Sequence, residues 1–123
     1  MIVFRITMNV IPGKQLEIMQ TLISMAEPTA QEAGCISYRL FSDIEDKNRY
    51  CLLEEWKTRE YLDQHMASHR FGVLLGTEAL LREPLEIQIF TVSRSEGMEA
   101  VQRVRNHTKS NISLTDGQGS LFK

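Results

Sequence analysis

No stretch of this chain approaches the ~20 consecutive apolar residues that span a bilayer. The opening Met1-Ile-Val-Phe-Arg5 lacks the basic segment and long apolar run of a secretory leader. The expected location is the cytoplasm, with no membrane partner. Cysteine is scarce: Cys35 and Cys51 are the only two, and in a reducing compartment they stand as free thiols inside apolar strand segments. They lack the Cys-x-x-Cys spacing that lowers a thiol pKa, which argues against a redox pair. An excess of basic residues is also missing. Fourteen Lys and Arg against sixteen Asp and Glu give a net charge of -2, which argues against a broad nucleic-acid footprint. There is no glycine-rich nucleotide fingerprint and no evident cluster of metal ligands, so no cofactor and no metal are expected. What remains is an ordinary globular profile, 123 residues with 42% apolar and 24% charged. A chain of that size buries roughly 65% of its unfolded surface, enough for one core without staples.

Periodicity divides the chain into elements. Ile2 to Val10 alternates, with Ile2, Phe4, Ile6, Met8 and Val10 on one face and Val3, Arg5, Thr7 and Asn9 on the other, the pattern of a half-buried strand. Pro12-Gly13 ends it. From Lys14 the period becomes helical, with a stripe expected along Leu16, Met19, Leu22, Ile23, Ala26, Ala30 and Ala33. Pro28 should kink or end the regular part, and Gly34 is placed as the stop. Cys35 to Phe41 reads as a strand with Ile36, Tyr38 and Leu40 on one face. Ser42 to Asn48 is an acidic turn and Arg49 to Lys57 a third strand, the two strands forming a hairpin. Thr58 can cap a short helix through Met66, and Ser68 a second one carrying Phe71, Leu74, Leu75 and Ala79. Leu85 to Val92 is the fourth strand. Gly97 to Arg105 fits a short helix and Asn106 to Lys123 a polar, mobile tail, in which the glycosylation-type triplet Asn111-Ile-Ser113 has no meaning without secretion. The organisation is thus a domain over 1–94 and a short helix with a polar tail over 95–123. The order β-α-β-β-α-β is the ferredoxin-like α+β pattern with an antiparallel sheet. Because the strands are apolar on both faces in places, a second copy of the sheet is the economical cover, and a symmetric homodimer is expected.

Several side chains are candidates for chemistry. Trp56, the only tryptophan, is either a core aromatic or a stacking platform. His65 and His69 have the four-residue spacing of zinc ligands, but no Glu follows the first, no third ligand is evident, and Ser68 should interrupt the helix between them. His65 suits proton abstraction through its near-neutral pKa, against the plainer role of a packed helix residue. Glu54 shares a strand face with Trp56 and is a base candidate if desolvated, or else an ion-pair residue. Tyr38 can hydrogen-bond a substrate oxygen or simply pack. Arg5, Thr7 and Asn9, with Glu86 and Gln88 on the fourth strand, form a polar face that is either a ligand cradle or a network in a dimer interface.

The chain resembles the antibiotic biosynthesis monooxygenase family, the dimeric α+β barrels that include small quinol monooxygenases. The matching pieces are Pro12-Gly13-Lys14, Glu32-Ala33-Gly34-Cys35-Ile36-Ser37-Tyr38, the Asp43 to Asn48 turn, Glu54-Glu55-Trp56, Leu62 through His65 to Ser68-His69-Arg70-Phe71, and Pro84-Leu85-Glu86-Ile87. They cover about residues 1 to 94, and it is their order and spacing together that are specific. The resemblance implies cofactor-free oxygenation of a quinol-like or phenolic molecule by dioxygen, the substrate supplying the electrons. His65 would be the base and Trp56, in a pocket with Phe71, would hold the ring. Tyr38, Asn9 or Arg5 would stabilise the oxyanion. Within the same fold, an isomerase or an enzyme degrading a signal molecule would use the same His65. A haem-degrading relative would carry its axial histidine at the position of Leu75, so that ligand is missing here. A non-catalytic ligand-binding or interaction dimer is the reading from another class, and a cavity beside Trp56 walled by His65 separates it from the enzymes.

Overall fold

The computed structural model describes residues 1–115, with side chains to residue 108. The chain forms two compact units, the first Met1–Val92 and the second starting at Ser93. The first contains strand β1 (Ile2–Asn9), helices α1 (Gln15–Ser24) and α2 (Ala26–Ala30), strands β2 (Cys35–Ser42) and β3 (Arg49–Trp56), helices α3 (Arg59–Met66) and α4 (His69–Leu75), a 3-10 turn over Gly76–Leu80, and strand β4 (Glu86–Thr91). The sheet is antiparallel with order β2-β3-β1-β4. This is the ferredoxin-like α+β fold.

The alternation of β1 carries through directly. Ile2, Phe4, Ile6 and Met8 are buried and pair across to Trp56, Glu54, Leu52 and Tyr50 of β3. The helices close over this face with Ile18, Leu22, Met25, Leu62, Phe71 and Leu74, each such side chain stabilising the fold by roughly 1.5–3 kcal/mol. The buried stripe of the first helix differs from the expected one. Ile18, Leu22, Met25 and Thr29 face the sheet, while Leu16 and Ile23 are 65% and 61% exposed. The break near Pro28 lies upstream of the proline. A proline ring clashes with the carbonyl four residues before it, here that of Ser24, the last residue of α1. Pro28 itself sits in the first turn of α2, where no backbone donor is needed.

The helical segment ends before Gly34, at Ala30 with Gln31 as its C-cap. Gly34, with φ of 81°, is instead the turn residue that leads into β2, and its carbonyl accepts a hydrogen bond from Lys57 N at 2.8 Å, fastening the start of β2 to the end of β3. The register between these strands slips between Cys35 and Ser37: Cys35 pairs with Trp56 and Ser37 with Glu55. Ile36 is the extra residue of a bulge and leaves the face it was expected to share with Tyr38 and Leu40. The 42–48 turn is tied by its own carboxylates, Asp43 Oδ1 accepting from Glu45 N and Asp46 Oδ1 from Asn48 N. Both short helices are capped as the sequence suggests, Thr58 Oγ1 accepting from Tyr61 N and Ser68 Oγ from Phe71 N.

In the second unit, helix α5 runs from Met98 to Thr115. It is longer than the expected 97–105 segment, so the stretch from Asn106 to Thr115 is helical rather than a tail. The rest of the expected tail, residues 116–123, lies outside the described residues. Among the described residues no helix is long and apolar enough to cross a membrane.

Candidate functional site

The alternation that puts Tyr50 and Leu52 in the core also puts Glu54 there, and β3 delivers its carboxylate fully buried next to Trp56. The Trp56 indole N–H donates to Glu54 Oε1 at 2.9 Å. From above, α3 lowers His65, 1% exposed, onto the same spot. Its ring packs 4.7 Å from the Trp56 ring, and Phe71 of α4 meets it edge-on at 5.4 Å. The Ser68 cap sets this entry: its hydroxyl donates to the His65 carbonyl at 2.6 Å while accepting from Phe71 N at 3.2 Å. Trp56, Glu54, His65 and Phe71 are therefore brought together.

The imidazole lies between two carboxylates. Nδ1 is 3.0 Å from both oxygens of Glu32, and Nε2 is 3.3 Å from Glu54 Oε1. Arg70 closes the line, its guanidinium 2.7 Å from Glu32 Oε2. A neutral ring would turn one lone pair toward a carboxylate, whereas the imidazolium presents an N–H to each. Burial pulls the His65 pKa down, but the facing carboxylates of Glu54 and Glu32 outweigh it and raise the pKa above 6.5. With Glu54 and Glu32 negative and His65 and Arg70 positive, the four charges cancel. The Nε2 contact is within ion-pair distance but too poorly aligned to hydrogen-bond, so His65 Nε2 and Glu54 Oε2 are both left without a hydrogen-bond partner. A buried acceptor with nothing to accept from is costly.

Because the folded state favours the charged imidazole, this network stabilises most below about pH 6.5 and loses that contribution as the pH rises through the higher folded-state value. The melting temperature is expected to fall in the pH window above about 6.5, and His65→Gln should flatten the slope. A melting temperature that rises across that window would contradict the charged assignment.

The remaining expected site residues are placed differently. Tyr38 lines the same face opposite Glu54, but its hydroxyl is engaged, donating to the Leu22 carbonyl at 3.0 Å. Burial, with the Glu54 charge in second place, pushes its pKa well up. Cys35 pairs with Trp56 in the sheet, and burial, with the charges of Glu54 and Glu32 behind it, lifts its thiol to about 11. Arg5 and Asn9 do not join the constellation. Period two sends them through to the other face of the sheet, so they cannot stabilise an oxyanion beside Trp56 of the same chain. Arg5 is bound to Gln88 through Nε at 2.9 Å and through a terminal nitrogen, with its guanidinium 5.2 Å from the Phe90 ring centre. Asn9 pairs with Arg49 in the β1–β3 ladder. His69 is exposed on α4, on a different helix from His65, so the pair lacks the geometry of a two-histidine metal site. Among the described residues no group of three or more metal-ligating side chains occurs.

Glu32 and Arg70 were not anticipated. Both stand within the stretches that carry the family resemblance, but neither has a periodicity that marks it. Their pairing joins the α2–β2 connection to α4, 38 residues apart. They also line a surface cleft of about 660 Å³ together with Ile23, Glu27, Pro28 and Gln31. Arg70 borders a second hollow of about 380 Å³ with Met25, Ser68, His69 and Val73, and two smaller ones lie by the β2–β3 turn. None of these four is lined by Trp56, Glu54 or His65.

The comparisons with known proteins agree with this architecture. The chain is 30% identical over 86 residues, 69% of its length, to the uncharacterized protein sll1783 of Synechocystis, of which the match spans 58%. A solved structure of a conserved protein from Methanosarcina mazei Go1 is 33% identical with a TM-score of 0.69, covering 72% of this chain and 89% of that one. A crystal structure described as an antibiotic biosynthesis monooxygenase is 25% identical with a TM-score of 0.70, covering 76% of this chain and all of the other. Residues 1–74 match the family model of antibiotic biosynthesis monooxygenases, and the chain belongs to that family.

Proposed function

We propose that the chain is a cofactor-independent monooxygenase acting on a quinol-like or phenolic small molecule, as a homodimer. The observation that carries this reading is the buried Glu54 Oε2, an acceptor without a donor, on a carboxylate whose Oε1 lies 3.3 Å from His65 Nε2. A phenolic O–H supplies the missing donor. Glu54 takes its proton through Oε2, and the imidazolium, with the Trp56 N–H on Oε1, holds the carboxylate in place. This reading moves the base from His65, where the sequence suggests it, to Glu54. His65 becomes the charged partner that offsets the phenolate's negative charge. The electron-rich anion then reacts with dioxygen. One oxygen atom enters the ring and the other leaves as water, while the quinol becomes a hydroxyquinone. The substrate gives all four electrons that dioxygen takes up.

One observation favours a second reading, a non-catalytic ligand-binding or interaction dimer. Trp56, Glu54 and His65 are sealed, and His65 occupies the face of Trp56 on which a substrate would stack. Oxygen uptake over a panel of small quinols, with and without a chelator, separates the two. Uptake insensitive to chelator is expected. No uptake with any quinol from a well-folded protein would favour the binding module or an isomerase, and chelator sensitivity would restore the His65–His69 metal reading.

The homodimer is supported by the sheet face opposite the helices, where Val3, Cys51, Leu53, Phe41 and Phe90 stand among Arg5, Thr7 and Gln88. Phe41 is 49% and Phe90 41% exposed. Sheet-to-sheet packing should bury more than ~1,200 Å². Sedimentation is expected to give a dimer at micromolar concentration, and a folded monomer there would overturn it.

A further inference from the structure

Within the buried network, Glu54 and His65 have roles under the reading above, and Glu32 and Arg70 have none. Glu32 is a carboxylate in the connection between α2 and β2. Both its oxygens lie 3.0 Å from His65 Nδ1, and one is 2.7 Å from the Arg70 guanidinium. Its side chain is only 20% exposed. Every polar group facing the imidazole is accounted for: Glu54 and the Trp56 N–H come from β3, Glu32 from the α2–β2 connection, and Arg70 reaches Glu32 from α4. Tyr38 and Cys35 of β2 stand near the carboxylates as neutral groups. Phe71 supplies the apolar edge. Of the charges in this set, Glu54 would be neutralised on taking a substrate proton. Glu32 alone would then remain to hold the charge on the ring.

We propose that Glu32 is a positioning residue for this site. It holds His65 as an imidazolium with Nε2–H turned to Glu54, while Arg70 fixes Glu32 from the cleft side. The proposal rests on the reading of Glu54 as the base. Its physical content is that ring orientation and ring charge are set from Nδ1. A carboxylate on Nδ1 fixes which nitrogen points where and favours the protonated ring. Without it, a neutral ring donating from Nδ1 would aim the Nε2 lone pair at the Glu54 carboxylate, and either the ring would flip or Glu54 would turn away from Trp56. The Arg70 contact offsets the charge of Glu32 and leaves it one orientation instead of several. Because Glu32 and Arg70 both border the 660 Å³ cleft, this pair is also where solvent meets the network.

The test is the titration of the His65 ring, followed by nitrogen-15 chemical shifts on the full chain, in the wild type, Glu32→Gln and Glu32→Asp. Glutamine keeps the shape and removes the charge. It is expected to lower the proton affinity of His65 by about tenfold or more, the scale on which a neighbouring opposite charge acts. Aspartate keeps the charge but draws it back, and should fall between the two. On a responsive quinol, the alkaline limb of the kcat profile should move to lower pH in Glu32→Gln by the same factor, with KM little changed, and Glu32→Asp should restore part of it. A His65 titration identical in the wild type and either folded variant would overturn the proposal. The nitrogen shifts read Glu32 directly, so an absence of oxygen uptake in the wild type would sink the monooxygenase reading and leave the positioning role standing or falling by the titration.

Discussion

Glu54→Gln is expected to lower oxygen uptake on a responsive quinol by about 10² to 10⁴, the usual worth of a positioned acid or base. Glutamine fits the same volume, and its carbonyl can still accept from the Trp56 N–H that now reaches Oε1 at 2.9 Å. Its amide nitrogen, however, takes the place of Oε2 and donates where a substrate hydroxyl needs an acceptor. Binding should suffer less than turnover. The variant also removes one negative charge from a set of four that now cancels, leaving His65, Glu32 and Arg70 with an excess positive charge. Breaking such a buried pair costs about 3–5 kcal/mol in other proteins. Activity is therefore to be measured well below the variant's own melting temperature, with folding checked by near-ultraviolet circular dichroism. A folded Glu54→Gln protein with unchanged turnover would remove Glu54 from the mechanism and return the base to His65. Because these residues act as one unit, His65→Ala should cost a similar factor, and the double variant much less than the product of the two.

The second large effect is structural. Gly34→Ala should lower the melting temperature by about 8–40 °C, read as about 2–5 kcal/mol at ~4–8 °C per kcal/mol for a domain of this size. Two separate penalties meet at this position. The backbone is at φ 81°, a left-handed conformation that costs an L side chain ~1–2 kcal/mol. A methyl group there would also overlap the Tyr61 ring at Cγ and Cδ2 and come within 2.5 Å of Tyr61 Cβ. These atoms lie near the Tyr61 backbone, so the side chain cannot swing clear, and overpacking of this kind adds ~1–3 kcal/mol. Gly13 is the built-in control. It has φ of 91° but nothing within 4 Å of an added Cβ, so Gly13→Ala should show the backbone penalty alone. Equal losses at the two glycines would mean that Tyr61 yields and the packing argument is wrong.

The fold was legible in the sequence wherever a single period ran unbroken. β1 alternates for eight residues and needs no tertiary knowledge to be placed. The caps at Thr58 and Ser68 announce themselves by residue type. Legibility failed where two periods compete. Leu16 and Ile23 and the buried set Ile18, Leu22 and Met25 both fit a helical spacing, and only the sheet beneath decides which of them is covered. It failed again at Ile36, because a bulge inserts one residue and changes the phase of everything before it. The candidate site divides in the same way. Trp56 and Glu54 follow from the strand period, and His65 follows from residue type within a short helix. Arg5 and Asn9 fall on the wrong side of the sheet for the role the resemblance suggested, although their period already separated them from Phe4 and Ile6. Glu32 reaches His65 across 33 residues and Arg70 reaches Glu32 across 38, and nothing local foretells such pairings.

The placement of Cys35 bears on wear as well as on packing. If the proposed oxygenation takes place here, stray turnovers would release peroxide and superoxide near Cys35, which pairs with Trp56 in the sheet. Peroxide attacks the thiolate and not the thiol. With its pKa held near 11 by burial and the two acidic neighbours, about one Cys35 in ten thousand is ionised at neutral pH. Burial, with the same carboxylates that face the imidazole, thus keeps Cys35 a neutral thiol, and on the proposed reading the sheet would stand beside its own by-products.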